Sequence, residues 1–432
     1  MNKNLTMLCL VGMTALMLTA CGEQKKADDS VMTFEKESER VVTLFSPMEK
    51  SMPDVDNVAR RASERTVIMA EEKLGVTVDY ITYTAEDYQD KTYDEITLER
   101  ARNDMDDLYL LNPDTVQILA EEGKLMDLSM LDSAKNLRDV VKTANVVNGK
   151  LVAIPQEVVA YGLFINKDLF DKYQLELPET PEDFLECCRV FKENGIETPV
   201  GANRWWLETF VLAQGFADLY NGGNTEAEIA ALNSGEKKYS DYMRPGFEFL
   251  QEMIDCGYID AKKAYVSEAI EGEGADFLAG KTPIVMAYWS AANSETAYGN
   301  PHFNMLVIGF PSSRGQMPVM PMTGIGVGVN AAHAEDAMKT LDIMVSDEAL
   351  QVYAETNKVI SPSKNVSVDC IPALKPLNDR INENVFVLGS NVNMKLEQWG
   401  NTCIVVRKLL NGATVEECMA EFDRLQEETL GK

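Results

Sequence analysis

The sequence predicts a two-lobe α/β protein, each lobe a mainly parallel sheet flanked by helices, with extended strands crossing between the lobes. Three observations carry this. The chain has 432 residues, more than one ordinary hydrophobic core organises, so two domains are the default. From Arg40 onward, apolar runs of strand length alternate with helical runs, and a strand–helix–strand alternation builds a parallel sheet. Between residues 148 and 170 two apolar runs meet across a short, stiff Pro155-Gln156-Glu157 segment, as a chain passing from one lobe to another would.

Residues 1–20 read as a lipoprotein signal peptide and not as fold. Lys3 gives a weak basic start, residues 5–18 an apolar run, and Leu18-Thr19-Ala20-Cys21 a small-residue cleavage site ending in cysteine. An ordinary signal peptide or a short membrane anchor would share the first two features, but the run is short beside the ~20 residues a span needs. Leu-Thr-Ala-Cys resembles the bacterial lipoprotein box, which implies lipidation of Cys21. Two acyl chains there, at ~0.8 kcal/mol per buried CH₂, would anchor the chain stably. Residues 22–38 are polar and poor in apolar side chains, as a flexible tether is.

The body opens on a predicted strand over 40–46, then a loop with Met48, Glu49 and Lys50. A helix over 58–74 is closed by Gly75, a strand over 76–83 alternates apolar and polar positions, and a polar helix fills 87–102. Residues 107–111 form a buried strand ending on Asn112-Pro113-Asp114; a helix over 115–122 follows, with Asp114 a candidate N-cap. Ligands of such sheets bind at the carboxyl ends of strands, which puts 46–50 and 112–114 on one rim.

Asn148-Gly149 is a hairpin dipeptide. Strands over 151–154 and 161–165 flank Pro155, and Asn166-Lys167-Asp168 starts the second lobe's first helix. A helix over 182–194 ends at Gly195. The adjacent Trp205 and Trp206 precede a helical run to Gly215, one ring expected in the core and the other not. Residues 221–235 are a low-hydrophobicity excursion, and helices follow over 242–256 and 267–278. A strand from 283 empties into Tyr288 and Trp289, where Trp289 is either a ligand platform or an edge-packed core ring. After a strand over 303–310, residues 323–330 return to the first lobe. Their G-x-G-x-G lacks the spacing of a dinucleotide loop and continues as strand. Helices over 334–346 and 347–356, a third crossing at Pro362, and helices over 378–388, 396–410 and 415–428 complete the chain.

A net charge of −29 argues against binding a phosphate backbone, and 45% hydrophobic content argues for packed interiors. With Cys9 and Cys21 in the leader and its end, Cys187, Cys188, Cys256, Cys370, Cys403 and Cys418 remain; no repeated metal spacing joins them, and buried reduced thiols are expected. Glu271-Gly-Glu-Gly-Ala-Asp lacks the alternating oxygen spacing of a calcium loop. No metal and no cofactor are expected.

Several blocks together carry a family resemblance. They are Asn148-Gly149-Lys150, the strand and Pro155, then the strand ending Asn166-Lys167-Asp168; Ala213-Gln214-Gly215; the strand into Tyr288-Trp289; and Trp399 ahead of Gly412-Ala413-Thr414-Val415. The chain resembles the bacterial ABC-transporter solute-binding proteins of extracellular family 1. That resemblance implies a two-lobe periplasmic-binding-protein fold of type II, with 39–158 plus 323–361 as the first lobe and 159–322 plus 362–432 as the second. It implies a carbohydrate ligand in the cleft between them, a monomer lipid-anchored on the extracytoplasmic face of the membrane, and ABC permease subunits as partners. Ligand contacts are expected from Glu49, Asn112, Asp114, Tyr161, Trp205, Tyr288, Trp289 and Trp399. The pattern departs from the family at Leu111, Val159 and Tyr288.

The residue types suit that ligand. A sugar ring stacks its C–H faces on aromatic rings and offers hydroxyls to carboxylate acceptors. A secreted glycosidase is the competing class, but paired carboxylates occur throughout and decide nothing. His302 and His333 read as loop and helix-start residues, and no serine elbow, zinc motif or phosphate loop is present. A ligand-sensing lipoprotein serving a membrane receptor is the third reading.

Overall fold

The computed structural model describes residues 40–47, 58–84, 91–204, 206–267, 271–288, 301–320, 323–367 and 372–431. The leader, Cys21 and the tether lie outside them. In chain order the strands are β1 (Val41–Ser46), β2 (Thr77–Thr82), β3 (Leu108–Leu111), β4 (Val146–Val147), β5 (Lys150–Leu151), β6 (Tyr161–Asn166), β7 (Val200–Gly201), β8 (Ile284–Tyr288), β9 (Met305–Ile308), β10 (Val319–Met320), β11 (Gly324–Val327) and β12 (Val387–Leu388).

The first sheet has the order β11-β3-β1-β2. β1 runs parallel to β2 and β3, as strand–helix–strand crossovers dictate, and only β11 is antiparallel. The crossover helix Val58–Leu74 ends at Gly75, whose φ of +64° continues the chain where other residues would be strained. It packs against helices Ala334–Met344 and Asp347–Asn357, which arrive from far along the chain. Asp107, buried at the foot of β3, joins three of these pieces: its carboxylate accepts the Thr43 N–H at 2.9 Å and the His333 N–H at 2.8 Å.

The second sheet has the order β12-β10-β6-β8-β7, with β9 also paired to β6. It is mixed and not mainly parallel, because β6 enters from the crossing and runs against β8, β9 and β10. Its core is aromatic: Phe210 stacks on Phe249 at 5.0 Å, with Phe184 tilted against the first and edge-on to the second.

Between the sheets lie the expected crossings. Asn148 and Gly149 take φ of +51° and +77°, so both central residues of the β4–β5 hairpin occupy the left-handed region its turn requires. Ile154 then exchanges backbone hydrogen bonds with Ile325 at 3.1 and 2.9 Å, and the Val158 N–H donates to Ile360 at 2.9 Å. Three extended segments therefore lie side by side where the chain changes sheets. Glu157, between the two ties, is packed against Tyr353; burial pushes its carboxyl up to about 7.

Several boundaries differ from the sequence reading. The helix expected over 87–102 is Tyr93–Arg102, because Thr92 and Glu95 form a reciprocal capping box that fixes its start; 85–90 lie outside the described residues. The run ending at Gly215 continues as helix Leu207–Asn221. There Gly215 lets helix Tyr239–Asp255 approach: a Cβ would sit 2.8 Å from the Tyr242 carbonyl oxygen. The excursion at 221–235 holds helix Thr225–Ser234. The helix expected over 267–278 is Glu271–Leu278, and a separate helix, Ala261–Val266 capped by Asp260, precedes it. Residues 378–388 divide into helix Lys375–Asn382 and β12, which β10 recruits as a parallel partner. Asp114 is not an N-cap: the helix is Pro113–Glu121 and begins two residues earlier than expected, with Asn112 at the cap position. Cys187, Cys188, Cys403 and Cys418 are buried free thiols; Cys256 is exposed, and Cys370 lies outside the described residues. Among the described residues no helix is long and apolar enough to cross a membrane.

Candidate functional site

On the second sheet the site starts from Tyr161, the first residue of β6. It stands opposite Tyr288 of β8 on one side and Val319 of β10 on the other. Its half-buried ring lies 5.1 Å from that of Trp399, at 50°. Trp399 is the first residue of helix Trp399–Leu410, and it reaches this position because residue 389 is glycine. A Cβ at Gly389 would fall 2.4 and 2.5 Å from Cζ3 and Cε3 of the indole, far inside contact distance. Glu397 secures the helix start, accepting the backbone N–H groups of Gly400 at 3.0 Å and Asn401 at 3.1 Å. Burial raises the Glu397 carboxyl, and these same hydrogen bonds oppose the rise.

On the first sheet, Asn112 closes β3 and donates its amide to Asp94 at 2.8 Å. Asp114, in the first turn of the following helix, keeps contact with solvent. The protein around it, then the negative charges of Glu397 and Asp94, push its carboxyl up to about 7. The negative charge of Glu397 thus bears on Asp114 although the two belong to elements of different sheets. Beside Asp94, Tyr93 stacks on Phe45 (5.3 Å, 7°) and meets the edge of Tyr83 (5.7 Å, 83°). Its hydroxyl donates to the Leu110 carbonyl at 2.6 Å, which fixes the ring against the end of β3.

The structure therefore assembles two groups of expected residues, Tyr161 with Trp399 and Asn112 with Asp114. Tyr288 is in register with the first group through its backbone. Glu49, Trp205 and Trp289 lie outside the described residues, as does Cys21. Trp206 is half-buried against the core, consistent with one of the adjacent pair packing inward. Tyr93, Asp94 and Glu397 were not anticipated. The Thr92-x-x-Glu95 box would have placed the first two at a helix start on the rim; nothing local marks Glu397, whose position depends on helix Trp399–Leu410 meeting β12.

Chemically, the residues assembled are aromatic faces on the second sheet and carboxylate and amide groups on the first. That suits a polyhydroxylated ligand with apolar ring faces. The described site residues hold no nucleophile–base pair and no group of three potential metal ligands.

The family profile described as bacterial extracellular solute-binding protein matches residues 57–351. The melibiose/raffinose/stachyose-binding protein MelE of Bacillus subtilis (strain 168) is 24% identical over 282 residues, 62% of this chain and 59% of that protein's length. Among solved structures, a family 1 extracellular solute-binding protein from Bifidobacterium longum subsp. infantis superposes with a TM-score of 0.73 at 18% identity, covering 90% of this chain and 98% of that one. The apo-form of RafE from Streptococcus pneumoniae gives 0.70 at 15% identity, covering 91% and 98%.

Proposed function

The chain belongs to the bacterial extracellular solute-binding proteins, and from that premise we propose that it captures a sugar or oligosaccharide and presents it to an ABC permease without chemical turnover. The ligand sits between two lobes, 39–158 plus 323–361 and 159–322 plus 362–432. One sugar face lies on the Tyr161–Trp399 pair, and hydroxyls donate to Asp114 and to the Asn112–Asp94 pair. Tyr288, Trp289 and Trp205 extend the platform, and Glu49 adds an acceptor on the first lobe's rim. Cys21 carries the lipid that holds the protein at the outer membrane surface of the cell, with residues 22–38 as tether.

The observation that carries the reading is the Tyr161–Trp399 pair, centroids 5.1 Å apart, at a helix start whose Glu397 carboxylate raises that of Asp114 on the other sheet. A relative named for melibiose, raffinose and stachyose supports a carbohydrate ligand. Closure follows energetically, since only a closed form makes both sets of contacts.

A thermal-shift screen against a sugar library tests this, because a ligand that binds only the folded state must raise the melting temperature. One or more mono- or oligosaccharides should do so, with affinity of micromolar class, about −8 kcal/mol, and should be recovered intact. No shift from any sugar, or released hydrolysis products, would overturn it.

A further inference from the structure

Residues 389–398 link β12 to helix Trp399–Leu410, both elements of the second sheet's lobe, yet their middle is buried in the first. Val392 is 3% exposed and belongs to the hydrophobic cluster of Phe45, Tyr109, Leu111, Val116 and Val152. Next to it, the Asn393 side-chain amide donates to the Val146 carbonyl, in the β4–β5 hairpin, at 2.9 Å. The segment is meanwhile held firmly on its own lobe. Asn233 donates to the Asn393 carbonyl at 2.7 Å and accepts the Lys395 N–H at 2.9 Å. Asn391 donates to the Tyr220 hydroxyl at 3.0 Å, and the Tyr239 hydroxyl donates to the Leu396 carbonyl at 3.2 Å.

We propose that 389–398 is a strap that stabilises the arrangement of the lobes seen in this structure independently of ligand, with Val392 as its pin and Asn393 as its polar tie. Two properties make it suited to this. It is rigid on one lobe, so a small rotation of the other withdraws Val392 from its pocket as a unit. It also ends on Glu397 and Trp399, so the segment that grips the first lobe carries the ring and the carboxylate of the candidate site. Val392 and Asn393 are therefore positioning residues: they set how often the two halves of the site face each other and touch no ligand themselves. The proposal needs the two-lobe fold and not the carbohydrate reading, so its test is made without ligand.

The test is interlobe energy transfer in the full-length chain, with dyes on azide-bearing amino acids at the exposed positions Glu335 and Glu416. Wild type, Val392→Thr and Asn393→Ala are compared. Val392→Thr keeps the side chain's shape and puts a hydroxyl in the apolar pocket; Asn393→Ala removes one half-buried hydrogen bond and no apolar contact of the core. Each should lower the share of molecules at the interdye distance of this structure relative to all other distances, by about ten-fold for Val392→Thr, with circular dichroism unchanged. Unaltered distance distributions, whether or not the melting temperature falls, would overturn the strap and reduce Val392 to a core residue.

Discussion

At the scale of single residues, the absence of a side chain at Gly389 counts as much as any group present. The indole of Trp399 occupies the space a Cβ would need. Gly389→Ala should displace the ring from Tyr161 and weaken sugar binding by at least ten-fold, about 1.4 kcal/mol, close to the effect of Trp399→Ala. Isothermal titration with a sugar identified by thermal shift reads both; a Gly389→Ala variant that binds like wild type would show that the indole does not contact ligand. Trp399 was legible in the sequence because it stands at a fixed spacing before Gly412-Ala413-Thr414-Val415. The glycine that seats it was not, since Gly389 and Trp399 meet only through the pairing of β12 with β10.

Elements show the same division between local and non-local information. Starts and stops encoded by neighbouring residues were readable: the β4–β5 turn, the crossover helix ended by Gly75, the helix over 182–194 closed by Gly195. Thr92 is the instructive exception. Its capping box is a local signal, but the polar stretch before it reads equally well as helix from residue 87. Read that way, Tyr93 and Asp94 fall inside a helix and not at its start. Thr92→Ala should cost about 1 kcal/mol of stability and loosen the first turn that presents both residues. Chemical denaturation measures the first effect; no change in the midpoint would mean that the cap contributes nothing to holding this turn. Elements defined by partners were not readable: β12 is two residues long, and Gly215 passes for a helix end until helix Tyr239–Asp255 is seen to lie on it.

For the whole molecule, buried acids set an unusual pH dependence. A carboxyl raised in the folded state keeps its proton there while the unfolded chain has released it. Its contribution is therefore full below the ordinary carboxylate value and lost as pH rises through the raised one. Glu157 is pushed up to about 7, chiefly by burial, and burial also raises Glu397 and Glu208. Glu421 runs the other way: hydrogen bonds from Arg424 and Lys408 hold it down to about 2, and its contribution disappears as pH falls through that range. The melting temperature should accordingly rise as pH is lowered from about 8 to about 5 and drop at more acid values. Glu157→Gln should flatten the upper limb. A melting temperature that climbs steadily toward pH 8 would contradict the raised acids. None of this was visible in a composition that shows only an excess of negative charge.

The order of strands also dictates when each half becomes complete. β11 and helices Ala334–Met344 and Asp347–Asn357 cover the first sheet, yet they follow all of β6 to β10 in the chain. A ribosome has thus delivered most of the other half before β3 receives its outer neighbour, and until then that border presents unpaired amide and carbonyl groups. The polypeptide must complete its earliest sheet nearly last, which makes the interval before residue 324 emerges the period of greatest exposure to mispairing and to proteases.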